Sequence, residues 1–160
     1  MQNNKYVKVH SLLRMFAALL AIVVFISMFA AKQVVHESGN DALSFAYNTG
    51  AFFGDDYGTK GNVVAFIAYL FVLLGGLAGL AFVFIDELIG KDLTKKLSFV
   101  VGGVIVLGSI FIFLFAPIFK AINDLPNAWH TAAGPIVFGC LALLAGAANI
   151  AAPILEDKGL

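Results

Sequence analysis

The chain has 160 residues, of which 61% are hydrophobic and 12% charged, and its mean hydropathy is +0.94. That composition leaves too little polar surface for a water-soluble globule. Ten basic residues balance ten acidic ones and no basic run is longer than Lys95–Lys96, so nothing in the charge pattern points to nucleic acid as a partner.

Four apolar runs follow in order: Leu12–Ala31, Val63–Ile85, Leu97–Phe119 and Gly134–Ala152. None has a charge in its interior, and Arg14 stands at the very start of the first. A hydrocarbon core about 30 Å thick needs roughly 20 helical residues rising about 1.5 Å each. The runs are near that length, so the expected fold is all-α: an integral membrane four-helix bundle, a single domain over residues 1–160 with the lipid bilayer around it. The first run is longer than the apolar core of a signal peptide and lacks a good cleavage site, so it reads as an uncleaved anchor.

Orientation follows from the flanks. Lys5, Lys8, Arg14, Lys91, Lys95, Lys96 and Lys158 fall on one side, and Lys32, Lys60 and Lys120 on the other. The positive-inside rule then places both termini in the cytoplasm, and the expected location is the cell membrane.

The first outer loop, Lys32–Gly61, is the longest segment outside the runs. Asn40-Asp41 can cap a short helix over residues 42–47 that stops at Gly50, and Gly54, Gly58 and Gly61 mark a turn-rich return. Phe45, Tyr47, Phe52, Phe53 and Tyr57 form a candidate outer interaction surface, since aromatic anchors dominate interface energetics. The competing expectation is that they cover helix ends or lie in the lipid interface.

His36, Glu37, Asp41, Asp55 and Asp56 in this loop, with Asp124 and His130 in the next, are residue types that bind divalent cations. Their spacing does not support a site. His36-Glu37 lacks a His four residues on, and Asp55-Asp56-Tyr57-Gly58 lacks alternating oxygen ligands. Ordinary solvation accounts for these charges, and no metal or cofactor is assigned.

In the second run Gly75 and Gly79 form a GxxxG pair; Gly102, Gly103 and Gly108 follow in the third, and Gly146 in the fourth. Small residues let membrane helices approach closely. Packing within the bundle is the expectation, with a seam between copies as the alternative. Asn149, the most polar side chain well inside a run, is expected to hydrogen-bond across helices, with Ser27, Tyr69 and Ser109 as lesser counterparts.

The Asp86–Lys96 connection is short, which makes the second and third helices antiparallel neighbours. Pro117 and Pro135 lie near run ends and need not be hinges, Trp129 suits the headgroup level, and Pro153 fits the exit of the fourth helix. Cys140, the lone cysteine, is expected to be buried and inert.

No nucleophile with a neighbouring base and no phosphate-cradling loop is present, and no charge sits mid-run for coupled transport. In topology alone the chain is similar to eukaryotic tetraspan junction proteins, but its first loop has no cysteine pair, so no family is assigned. The expected function is non-catalytic: a scaffold, accessory subunit or interaction protein, acting on a protein partner or as a homo-oligomer. The first alternative is an oligomeric channel or facilitator for a small solute or cation. The second is a membrane enzyme with an outer-face metal site.

Overall fold

The computed structural model describes residues 8–36, 52–54, 60–125 and 129–159, apart from the side chains of His36 and Glu87. The elements are α1 (Val9–Ala30), β1 (Val34–His36), α2 (Val63–Ile89), α3 (Lys91–Phe113), α4 (Phe115–Asn123), β2 (Trp129–Thr131) and α5 (Ala133–Asp157). Four of the helices, α1, α2, α3 and α5, are long and apolar enough to cross a membrane. The protein is an integral membrane four-helix bundle. The short helix expected over residues 42–47 lies outside the described residues.

The four long helices form a ring in the order α1–α2–α3–α5, each packed on two neighbours. Every neighbouring pair is antiparallel, as the contacts show. Gly76 meets Ala21, Gly108 meets Ala68, and Gly102 meets Ile150, while Arg14 reaches Glu156. The start of α1, the end of α5 and the α2–α3 turn therefore lie at one end, the terminal end. A two-stranded antiparallel ribbon, β1 with β2, closes the other end, with Val34 opposite Thr131, Val35 opposite His130 and His36 opposite Trp129. The all-α expectation did not include this ribbon. Three-residue strands carry too little periodicity to stand out from loop sequence.

Buried small residues run the length of the interior, with Ala17, Ala148, Ala152 and Gly102 toward the terminal end and Ala65, Ala68, Ala142, Gly108 and Gly139 toward the ribbon end. At the ribbon end they are joined by the large buried side chains of Met28, Tyr69, Ile112, Phe115 and Phe119. With lipid on the outside there is no hydrophobic drive between helices, so close backbone approach at the small residues supplies attraction along the bundle. Interlocking large side chains add to it at the ribbon end.

Helix boundaries depart from the apolar runs where backbone chemistry intervenes. The connection expected over Asp86–Lys96 shrinks to Gly90, whose φ of +86° suits glycine and joins α2 directly to α3. Asp92 in the first turn of α3 complements its dipole. The run Leu97–Phe119 is not one helix. It is interrupted at Leu114, because Pro117 offers no amide to the carbonyl of Phe113 and its ring crowds that group. Pro117 thus sets the break between α3 and α4. Pro153 does not end the fourth helix, which continues one more turn to Asp157.

Candidate functional site

Buried polar side chains concentrate at the two ends of the bundle. At the ribbon end, Asn62 caps α2 by accepting from the Ala65 amide at 3.1 Å, while its Nδ2 donates to the Phe115 carbonyl at 3.2 Å. One side chain thereby ties the start of α2 to the start of α4. Tyr69 donates its hydroxyl to Gln33 Oε1 at 3.2 Å, and Gln33 Nε2 donates to the Ala31 carbonyl at 2.9 Å. Asn123 accepts from the Lys60 amide at 2.6 Å and donates to the Lys60 carbonyl at 2.8 Å, fastening the end of α4 to the approach to α2.

Phe52 fills the centre of this cap. It is fully buried and meets Tyr69 and Phe115 edge-on, with ring centroids 5.6 and 5.2 Å away. The chain passes so closely here that a Cβ on Gly61 would overlap the Phe52 carbonyl. Phe52 is therefore a packed anchor and not part of an outer surface, which corrects its sequence assignment. Phe53 is different: it is 55% exposed and leans on Phe66 with centroids 4.8 Å apart. Phe45, Tyr47 and Tyr57 lie outside the described residues. Trp129 is buried in the cap.

The residues weighed as metal ligands do not assemble. In the ribbon His36 pairs with Trp129 and His130 with Val35, so the two histidines are not opposed. Glu37, Asp41, Asp55 and Asp56 lie outside the described residues, and among the described residues no group of three or more His, Cys, Asp or Glu comes together. Cys140 is exposed on the outer face of α5 and not buried as expected; a residue inside an apolar run can still face away from its own bundle.

The glycines read from the sequence serve several interfaces. A Cβ on Gly75 would lie 2.6 Å from Ile105 of α3, one on Gly76 would overlap Ala21 of α1, and one on Gly79 would overlap Asn149 of α5. The GxxxG pair is thus not a single seam, because its two members face different helices. Gly102 and Gly146 face each other, each Cβ position about 3 Å from the other's carbonyl oxygen (3.0 and 3.1 Å). Gly103 shares none of this, since a Cβ there would meet nothing within 4 Å.

Asn149 does not bond across helices. Its Nδ2 donates to the Ala145 carbonyl of its own helix at 3.2 Å, and its Oδ1 has no hydrogen-bond partner among the described residues. Its role is steric, filling the notch Gly79 leaves. Ser109 does bond across helices, donating to the Gly139 carbonyl at 2.8 Å, whereas Ser27 bonds back to Val24 of its own helix.

At the terminal end the dominant group is Arg14, which sequence reasoning treated only as a flanking charge. Its side chain is 1% exposed and its Nη2 lies 3.6 Å from Glu156 Oε2 of α5 and 3.4 Å from Ser98 Oγ of α3. Its guanidinium carbon sits 6.0 Å from the Phe82 ring centroid of α2. One residue of α1 therefore touches all three other spanning helices. A signal was present: His10, Arg14, Ala17, Ala21, Val24 and Met28 are all buried and follow each other at spacings of four and three, the stripe of a packed helix face. Arg14 is in phase with that stripe. Nearby, Lys95 and Asp157 pair between α3 and α5 at the exposed rim, where such pairs contribute little.

Comparison of the chain with known protein families, curated proteins and solved structures finds no match.

Proposed function

We propose that the protein is a non-catalytic scaffold or accessory subunit of the cell membrane, with its terminal end in the cytoplasm, acting through contacts with protein partners or further copies of itself. The supporting observation is how the interior is used. Tyr69, Gln33, Asn62 and Asn123 are engaged in fastening the ribbon end, Ser109 joins α3 to α5, and the bundle is closed from its middle toward the ribbon end by Ile105, Val24, Val72 and Ile112, all fully buried. Such an interior offers no continuous polar lining for a solute, whereas Phe53 leaves an aromatic side chain exposed at the ribbon end.

Two measurements test the reading together. Liposomes carrying the pure protein are expected to show no cation flux, and Phe53→Ala is expected to lower recovery of a co-purifying partner or oligomer in mild detergent without changing the melt. A reproducible cation current that disappears in Asn149→Leu would overturn the scaffold in favour of a channel.

A further inference from the structure

We propose that the Arg14 cluster, near the terminal end of the bundle, is a buried water-binding site. Two observations support it independently. First, Arg14 Nε and Nη1 have no hydrogen-bond partner among the described residues although the side chain is 1% exposed. A buried donor left unmade costs about 1–3 kcal/mol, more for a charged group. Secondly, the contacts Arg14 does make are long. A direct guanidinium–carboxylate bond spans about 2.7–2.9 Å, whereas Glu156 stands at 3.6 Å and Ser98 at 3.4 Å. Nη2 is thus only weakly bonded as well, and the guanidinium as a whole is under-satisfied for a buried charged donor.

The ligand must supply hydrogen-bond acceptors without adding charge. Glu156 already balances the guanidinium, and Asp86 adds a second carboxylate at longer range. An anion would bring a further uncompensated charge into a low-dielectric interior. Water has no such penalty. Buried waters typically make about three hydrogen bonds to groups that would otherwise go unsatisfied. Here water accepts from Nε or Nη1 and donates onward to the Glu156 carboxylate or to Ser98 Oγ. Glu156, 17% exposed at the rim, is the side through which the site exchanges with solvent.

Phe82 supplies the test, being 6% exposed and beside the guanidinium, while Phe115 and Phe119 are fully buried in the ribbon-end cap. Radiolytic hydroxyl labelling in isotopically labelled water, on the protein in nanodiscs, generates radicals from bound water in place. Phe82 is expected to take up solvent oxygen severalfold faster than Phe115 or Phe119, and Arg14→Met is expected to bring Phe82 down to their rate. Equal labelling of the three rings in the folded wild type overturns the proposal without recourse to a variant. Selective protection of Phe82 by added chloride or inorganic phosphate at constant ionic strength overturns it too, because the site would then hold an anion.

Discussion

Gly79 and Gly103 are the same residue type in spanning helices, and their surroundings predict opposite responses to an added methyl group. At Gly79 the new Cβ would overlap Asn149 Oδ1, and overpacking of this kind costs about 1–3 kcal/mol. Gly79→Ala is therefore expected to lower the thermal midpoint in detergent. Adding Asn149→Ala should restore part of that loss, because the two residues share one contact. At Gly103 nothing lies within 4 Å, so Gly103→Ala is expected to leave the midpoint unchanged or raise it, by up to the roughly 1 kcal/mol of helix propensity that separates the two residues. Equal destabilisation at both positions would contradict the assignment of Gly79 to the α2–α5 contact. Sequence spacing identified both glycines as small but could not rank them, since a GxxxG pattern says nothing about which helix each member meets. Arg14 was legible in the same partial way. Its phase with Ala17 and Ala21 was readable, but a basic residue at the start of an apolar run is the ordinary topology signal, and only the partner positions on α3 and α5 show that it turns inward.

At the scale of elements, hydropathy located all four spanning helices and left their ends to backbone chemistry. The break at Leu114 and the passage of α5 through Pro153 both involve proline, with opposite results. α4 has somewhere to go: Phe115 and Phe119 bury themselves in the ribbon-end cap. The final turn of α5 is instead retained against the bundle, with Ala152 and Pro153 buried and Glu156 directed to Arg14. Those preferences depend on tertiary neighbours, and the apolar pattern of one run does not contain them. The same limit applied to the aromatic loop, where adjacent residues Phe52 and Phe53 take opposite roles. Truncating a fully buried aromatic costs about 3–5 kcal/mol, so Phe52→Ala is expected to lower the melt sharply and to expose the first loop to proteolysis. Phe53→Ala, at an exposed position, should change neither. A mild phenotype for Phe52→Ala would remove its role as the anchor of the cap.

For the molecule as a whole, the ring closes where α1 meets α5, the first and last spanning helices, and it is fastened at both ends of that seam. β1 pairs with β2 beyond one end, while Arg14 faces Glu156 near the other. Cysteine pairs can report on this closure and on orientation in one experiment, in a Cys140→Ser background. Val35 and His130 are directly opposed in the ribbon, and opposed residues of an antiparallel pair have Cα atoms about 4.5–5.5 Å apart, within the range a disulfide spans. Lys95 and Asp157 are in contact at the terminal end. Disulfides persist in extracytoplasmic compartments and are kept reduced in the cytosol. Val35→Cys with His130→Cys is therefore expected to oxidise within one chain in growing cells, giving a shifted monomer on a non-reducing gel. Lys95→Cys with Asp157→Cys should remain reduced until the membranes are opened and an oxidant is added. The reverse pattern would invert the orientation while leaving the fold intact. Bridges between chains in place of bridges within one would mean that α1 and α5 close on a second copy, and the ring would then belong to a dimer rather than to a single chain.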